Sequence, residues 1–254
     1  MSTDAEGFWS GLPLGRNVTL LTRDANGLAA LNKPAGVLSH PNEPGEEPRS
    51  LIRASYVIDG EYFEWSNPGA TEPCRLWLLN RLDSATSGVI LAAASEELAK
   101  EIRAQFKRKQ VRKIYNALVF GAPSRPVELW RDLLAVDKRG GKIRTATRAG
   151  HVPAESRMSV VRPGLREPRV TLIRLEPRTG RSHQLRVQCA KRGLPIVGDQ
   201  TYGNFSQNRA FARLAETKRM FLHSRETSFD YEFKGARHAF AATAPLPERF
   251  EQFL

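Results

Sequence analysis

Hydrophobic and polar positions alternate in several short segments of the chain, which is the pattern of strands with one buried face. Two apolar runs, residues 18–21 and 28–31, flank residues 24–27, where an Asn-Gly pair favours a tight hairpin turn. Over residues 111–120 apolar side chains recur with period two. The pattern therefore predicts a hairpin near the N-terminus and a long strand in the middle of the chain.

Other segments have a helical period. Ser95 can cap a helix whose apolar stripe begins at Leu98 and recurs every four residues. Further helices are predicted over residues 50–58, about 182–192 and 207–217, and an irregular loop over residues 61–75. Strands outnumber helices, so the predicted class is α+β, with a mixed, mostly antiparallel central sheet on which helices and loops pack.

The stretch from Leu79 to Leu91 sets one carboxylate between two apolar runs. Asp83 follows the strand-like run that ends near Leu79, and apolar residues resume at Gly88. If the backbone stays extended here, Arg81 and Asp83 project from the same face. An aspartate at a strand end is more often a turn former that bonds its own backbone, so a structural and a catalytic role are both open.

The charge balance narrows the class of partner. The chain has 39 Lys and Arg against 27 Asp and Glu, a net charge of +12. This surplus favours a polyanion, and nucleic acid is expected rather than a membrane because no helix combines a basic face with a lipid-seeking one. Lys107, Arg108 and Lys113 are candidate phosphate contacts, and residues 138–144 have the composition of a basic hairpin. A solvated face that complements the helix dipole is the alternative.

Cysteine usage and the N-terminus bear on compartment and organisation. Cys74 and Cys189 form no cluster with metal-ligand spacing, so we expect no metal, no structural disulfide and a reducing cytoplasm. The N-terminus lacks the pattern of a secretory signal, and no apolar run approaches the roughly 20 residues that span a bilayer. No linker is evident in the sequence, so we expect a lead-in at residues 1–17 and one domain at residues 18–254. A monomer is the default expectation.

Five sequence blocks occur in an order known from one enzyme family. They are residues 32–36 (Asn-Lys-Pro-Ala-Gly), Arg81-Leu82-Asp83 with Thr86-Ser87-Gly88, residues 113–121, residues 179–186, and Gly198-Asp199 with Tyr202-Gly203. With these blocks the chain resembles the pseudouridine synthases of the ribosomal large-subunit synthase A type, over about residues 18–248.

The resemblance implies an isomerase that converts a uridine in structured RNA, a tRNA or an rRNA, to pseudouridine without a cofactor. It makes Asp83 the catalytic aspartate, Tyr115 the aromatic that packs on the target base, and Arg186 the partner of the aspartate. It also implies an active-site cleft across the middle of the sheet. Many relatives carry a separate N-terminal RNA-binding module, and the residues ahead of Val18 are too few for one, so we expect residues 18–254 to be the catalytic domain alone.

These residue types suit that chemistry. A nucleophilic carboxylate must be ionised, and a guanidinium beside it lowers its pKa and holds its orientation. Attack of Asp83 on C1′ of the sugar and addition to C6 of the uracil both remain open. The target nucleotide must be flipped out, and stacking on Tyr115 recovers about 1 to 3 kcal/mol of that cost. Arg81 is expected to fill the vacated space or grip the adjacent phosphate, and Arg181 is a further candidate RNA contact.

Two positions depart from the family pattern. Asn80 stands where relatives usually have His before Arg-Leu-Asp, and Gln188 stands where His is common two residues after Arg186. Both replacements are polar, so we expect them to adjust neighbouring hydrogen bonds without abolishing the chemistry.

Two other functions were weighed. A catalytically silent RNA-binding or ribosome-assembly factor of the same fold is disfavoured because Asp83, Tyr115 and Arg186 are all present. A carboxylate glycoside hydrolase would need a second acid as proton donor, and no acid near these motifs is an obvious candidate.

Overall fold

Strands predominate over helices in the computed structural model, which describes residues 3–67, 72–139, 142–146, 152–164 and 167–254. The strands are β1 (Thr19–Arg23), β2 (Leu28–Lys33), β3 (Ser55–Val57), β4 (Tyr62–Trp65), β5 (Cys74–Leu78), β6 (Ser87–Ala93), β7 (Arg112–Phe120), β8 (Val127–Arg139), β9 (Lys142–Ala146), β10 (Val152–Pro163), β11 (Val170–Pro177), β12 (Leu222–Phe233) and β13 (Ala236–Thr243). The helices are α1 (Thr3–Ser10), α2 (Glu96–Lys107), α3 (Gln184–Lys191) and α4 (Phe205–Ala215), and single 3-10 turns cover Glu47–Arg49 and Glu248–Phe250. The predicted α+β class is confirmed.

The chain folds as two compact units. The first contains the residues up to Val111 together with Ser228–Ala244, and the second contains Arg112–Thr227 together with Pro245–Leu254. Strand β12 therefore contributes its first half to the second unit and its second half to the first.

Six strands of the first unit pair antiparallel in the order β3-β4-β5-β6-β2-β1, and β13 of the same unit pairs with β12. Its predicted hairpin joins β1 to β2. The Asp24 carboxylate accepts the backbone N–H groups of Asn26 and Leu28 at 3.0 and 2.9 Å, and Gly27 takes a φ of +89°, which glycine adopts without strain. The Asn-Gly signal thus fixes the register of β1 on β2.

Helix α2 follows its predicted pattern. The Ser95 hydroxyl accepts the backbone N–H of Leu98 at 3.4 Å, which caps the first turn. Leu98 and Ile102 are fully buried against the sheet, and Phe106 packs at the edge of the same core. The apolar stripe is therefore the face by which the helix attaches to the first unit.

Two predicted segments of the first unit were wrong. Residues 50–58 form no helix but contain β3, and residues 61–75 contain β4 and the start of β5. Phe63 and Leu76 pair across β4 and β5 and are fully buried, so tertiary pairing decides a conformation that local propensity leaves open. The lead-in also contains a helix, α1, which the sequence did not indicate, and it buries Trp9.

The second unit has an antiparallel sheet in the order β7-β11-β10-β8-β9. Aromatic side chains from β7, α4 and the C-terminal segment form its core, among them Phe120, Phe211 and Phe250. Strands β8 and β9 form the predicted basic hairpin, with Arg139 opposite Lys142, and its tip at residues 140–141 lies outside the described residues. Helices α3 and α4 confirm the predicted segments to within about two residues at each end.

We predict that Ile102→Ala lowers the free energy of unfolding by about 2 to 5 kcal/mol, because it removes a fully buried side chain and leaves a cavity between α2 and the sheet. Urea unfolding measures the loss. Lys100→Ala on the exposed side of α2, where Lys100 pairs with Glu96, is the matched control and should cost a small fraction of it. Equal losses would contradict the assigned orientation of the helix.

Candidate active site

Asp83 lies in the turn between β5 and β6. Residues 79–86 are not part of a strand. Within this turn Arg81 is exposed, Leu82 is buried and Asp83 is half-buried. The Asp83 carbonyl accepts the backbone N–H of Thr86 at 2.9 Å, which closes the turn. Arg81 and Asp83 are thus both more exposed than Leu82, the apolar anchor between them, and a common face for the two side chains stays a prediction.

Hydrogen bonds to other segments fix the residues on either side of Arg81. The buried Ser39 hydroxyl donates to the carbonyl of Leu82 at 2.7 Å and accepts the Leu82 N–H at 3.0 Å. Asn80 Oδ1 accepts the backbone N–H of Leu91 in β6 at 2.8 Å. Asn80, the residue that replaces the usual His, therefore ties the turn to the adjacent strand.

A buried ammonium group holds the far side of the turn. Lys33, at the end of β2, has no exposed surface, and its Nζ donates to the carbonyls of Pro34, Val37 and Ser84 at 3.1, 2.6 and 3.1 Å. The backbone N–H of Gly36 donates to the same Ser84 carbonyl at 2.7 Å. The residue after Asp83 is thereby bound to the Asn-Lys-Pro-Ala-Gly block.

The basic candidates of the first unit are exposed. Arg81 Nη1 lies 3.7 Å from Glu61 Oε1, an open ion pair. Lys107 and Arg108 stand at the end of α2, where Arg108 Nη1 is 3.9 Å from Glu101 Oε1. Such pairs contribute little to stability and can be exchanged for contacts to another anion.

Tyr115 and Lys113 lie two apart on β7 and are half-buried. Burial lowers the pKa of the Lys113 ammonium. A Cβ on Gly180 would stand 3.7 Å from Lys113 Nζ, so the ammonium lies against the Thr-Gly-Arg block.

Arg186 on α3 is held by a carboxylate within its own unit. Its Nε and Nη2 donate to the two oxygens of Asp199 at 2.7 and 2.8 Å, and its guanidinium lies 5.1 Å from the centre of the Tyr202 ring. Asp199 Oδ1 also accepts the backbone N–H groups of Thr201 and Tyr202. Burial raises the pKa of Asp199, but the hydrogen bonds and charge of Arg186 outweigh it, so the pKa lies below its usual value.

Gln188 anchors the same helix. Its amide nitrogen donates to Asp132 Oδ2 at 2.8 Å, and its amide oxygen accepts the Ser156 hydroxyl at 2.8 Å. Asp132 also binds Lys191 at 2.6 Å and Arg192 at 3.0 Å. Gln188 is the second position that departs from the family pattern, and its neutral amide therefore donates one hydrogen bond and accepts another.

The Thr179-Gly180-Arg181 block is fixed by Gln184 in the first turn of α3. Gln184 Oε1 accepts the Thr179 hydroxyl at 2.7 Å and the Arg181 backbone N–H at 3.1 Å. The Arg181 side chain is exposed and donates from Nε to the carbonyl of Pro153 at 3.3 Å. Three other arginines of this segment bind acids: Arg186 binds Asp199, Arg178 binds Glu155 and Arg192 binds Asp132.

Among the described residues, no group of three or more His, Cys, Asp or Glu side chains is arranged to hold a metal ion. No helix in that part of the chain is long and apolar enough to cross a membrane. Cys74 and Cys189 are free thiols, and burial raises the pKa of Cys189, which makes it inert.

The predicted site residues divide between the units. Asp83, Arg81, Lys107 and Arg108 belong to the first, and Lys113, Tyr115, Arg181 and Arg186 to the second. Sequence reasoning gave no role to four residues that support the site. Ser39 and Lys33 bind the residues on either side of Asp83, Asp199 binds Arg186, and Gln184 binds Thr179 and Arg181. Lys33, Asp199 and Gln184 lie inside the family blocks, and this was the one sequence signal that could have identified them. Ser39 lies outside the blocks and had no such signal.

A family model described as RNA pseudouridylate synthase matches residues 27–191. The chain belongs to this family. An RNA pseudouridine synthase of Helicobacter pylori is 31% identical over 240 residues, which cover 92% of this chain and 75% of that protein. The tRNA pseudouridine synthase C of Salmonella typhimurium is 30% identical over 220 residues, 82% of this chain and 78% of that protein. The chain is thus an RNA pseudouridine synthase, an isomerase.

Solved structures agree on the fold. Human RNA Pseudouridylate Synthase Domain Containing 1 superposes with a TM-score of 0.67 at 23% identity, over 90% of this chain and 83% of that chain. Human RNA Pseudouridylate Synthase Domain Containing 4 gives 0.65 at 20% identity over 99% and 95%. At these identities the likeness establishes the pseudouridine synthase fold.

We predict that Asp199→Asn lowers the free energy of unfolding at neutral pH by about 3 to 5 kcal/mol, because it replaces the carboxylate of a buried, bidentate ion pair with Arg186 by a neutral amide. The pKa of Asp199 is lowered by folding, so its contribution is present above the pKa of the unfolded chain and is lost as pH falls. The difference between wild type and variant should therefore shrink below about pH 4. Urea unfolding from pH 3 to pH 7 measures it, and a difference independent of pH would contradict the ion pair.

Proposed function

We propose that this synthase isomerises a specific uridine of a structured RNA, a tRNA or an rRNA, and that Asp83 is the nucleophile acting on the flipped-out uridine. The observation that carries the proposal is the setting of Asp83. The residues on both sides of it, Leu82 and Ser84, are bonded to buried Ser39 and Lys33, while Asp83 itself stays half-exposed. A carboxylate held rigidly with an accessible face is what attack on a bound substrate requires.

The reaction needs no net supply of atoms or electrons. The bond from C1′ to N1 of the uracil breaks, the base turns, and a bond from C1′ to C5 forms. The hydrogen on C5 leaves as a proton, and N1 gains one. An ionised Asp83 serves either route, attack on C1′ or addition to C6, because it provides the electron pair for a covalent intermediate and recovers it when that intermediate breaks down.

Tyr115 and Arg186 are proposed to act with Asp83. Family position supports both assignments, and the bidentate Asp199 pair supports the second, because a guanidinium already fixed by one carboxylate needs little reorganisation to stabilise another. Arg186 would keep Asp83 ionised. The ring of Tyr115 would stack on the uracil.

The RNA backbone is proposed to contact basic side chains of both units. Arg81, Lys107, Arg108 and Arg181 are exposed and charged, which suits phosphate contact. Lys113 is more buried and has a lowered pKa, which suits a contact close to the target nucleotide better than one at the surface. A tRNA is the favoured substrate, because several relatives are tRNA pseudouridine synthases.

We predict that Asp83→Asn abolishes pseudouridine formation, with a loss of at least about 10⁴-fold, because the amide cannot act as nucleophile. RNA affinity should change by less than about threefold, because the substitution alters one side chain and leaves the buried side of the turn intact. Release of tritium from RNA carrying 5-tritiated uridine measures turnover, because that hydrogen leaves C5 in the reaction.

Asp230→Asn is the control, since Asp230 pairs only at the surface with Arg237 among the contacts described. It should retain full activity. Undiminished turnover by Asp83→Asn would refute the assignment of the nucleophile. If wild type bound RNA but released no tritium from any tRNA or rRNA tested, the silent RNA-binding factor would replace the enzyme proposal.

A further inference from the structure

Arg103 of α2 is fixed in place by backbone carbonyls of the turn between β3 and β4 and of the end of β5. Its Nη2 donates to the carbonyls of Glu61, Leu78 and Gly60 at 3.0, 2.8 and 3.5 Å, and its side chain is 21% exposed. Its Nε is buried and has no hydrogen-bond partner among the described residues. One donor of a rigid guanidinium is therefore unused.

The carboxylate of Glu61 lies between this guanidinium and that of Arg81. Glu61 Oε2 is 3.4 Å from Arg103 Nε, and Glu61 Oε1 is 3.7 Å from Arg81 Nη1. A charge-assisted hydrogen bond would be about 2.7 to 2.9 Å long, so both pairs are loose. Glu61 is 42% exposed and Arg81 59%, which leaves both side chains room to separate.

Tyr56 adds a third donor to the cluster. Its hydroxyl is buried and has no hydrogen-bond partner within the described part of the chain. Burial, followed by the charge of Glu61, raises the pKa of Tyr56 to about 12, and the charges of Arg81 and Arg103 act in the opposite direction. His40 stacks on the ring, with centroids 4.6 Å apart and an angle of 11°, so the ring is held in position. A buried hydroxyl without a partner destabilises a protein and calls for an explanation.

We propose that Arg81, Arg103 and the Tyr56 hydroxyl form a binding site for one phosphate of the RNA backbone, and that the Glu61 carboxylate occupies this site while RNA is absent. The proposal rests on RNA being the substrate. It places the phosphate beside the turn of the candidate nucleophile, two residues from Asp83. A phosphodiester offers two charged oxygens to three donors that Glu61 leaves poorly bonded, so exchange of the anions gains hydrogen bonds.

The alternative is that Glu61 serves only to stabilise its own turn. Glu64 shows what such a pair looks like, because its carboxylate meets Arg75 Nε at 2.7 Å. Glu64 lies on the opposite face of β4 from Phe63, the residue paired with Tyr56. Glu64 therefore provides a matched control of the same charge, similar exposure and the same strand region.

The first experiment compares Glu61→Gln with Glu64→Gln. Binding is measured with a fluorescein-labelled pool of unmodified tRNA transcripts over a range of salt concentrations. Removal of the competing carboxylate should tighten binding by about three- to tenfold and steepen the salt dependence by about one phosphate contact, whereas Glu64→Gln should change the Kd by less than about twofold. Damage to the fold would weaken binding, so it cannot imitate this result.

The gain must depend on Arg81. In the Arg81→Ala background, Glu61→Gln should tighten binding by less than about twofold, because of the two guanidinium groups that Glu61 pairs with only the mostly buried Arg103 remains. If Glu61→Gln tightens binding no more than Glu64→Gln, or if its gain persists without Arg81, the proposal is overturned.

The second experiment uses Tyr56→Phe, which removes only the hydroxyl. The Tm should stay the same or rise, because the hydroxyl has no partner in the free protein, while affinity for the tRNA pool should fall by about three- to tenfold. An unchanged affinity would overturn the site. Both experiments measure binding alone, so they remain interpretable if Asp83→Asn shows that the nucleophile was wrongly assigned.

Discussion

The buried ammonium group of Lys33 is the interaction on which the turn of Asp83 depends. A charge without exposed surface is costly unless it is hydrogen-bonded, and three backbone carbonyls are among the acceptors here. Two of them, from Pro34 and Val37, belong to its own segment, and the third comes from Ser84, 51 residues further along the chain. Because the ammonium requires all of them, it fixes the approach of one segment to the other.

The parts of the fold that the sequence predicted are those whose information is local. The cap at Ser95 and the apolar repeat from Leu98 specify α2, and the Asn-Gly pair specifies the first hairpin. Strand β4 carries no comparable signal. Phe63 becomes a buried strand residue because Leu76 of the partner strand lies opposite it, and that partner is not evident from the residues around either one.

The candidate site shows the same difference between local sequence information and contacts that join distant residues. The spacing of Arg81 and Asp83 predicts a common face for the two side chains, and the family blocks mark Tyr115 and Arg186. What supports these residues was not predictable, because the supporting contacts join distant positions. Leu82 is held by a residue 43 positions away, and the acid that binds Arg186 is 13 positions away on no common helical or strand period. Family blocks identify which residues matter without stating which bonds they make.

Polar groups near Asp83 are treated in two different ways. Ser39 satisfies both backbone groups of Leu82, and Lys33 uses several carbonyls at once, so the backbone on either side of Asp83 is fixed by bonds already formed in the free protein. Around Arg81 the opposite holds, since the Tyr56 hydroxyl and the Arg103 Nε are buried without hydrogen bonds among the described residues. Satisfied groups add stability and restrict motion, whereas unsatisfied ones lose stability that a ligand can restore. The backbone is therefore rigid around Asp83, where the reacting carboxylate must be placed. Unused hydrogen-bond donors lie only a few residues away, near Arg81, where an anion is proposed to bind.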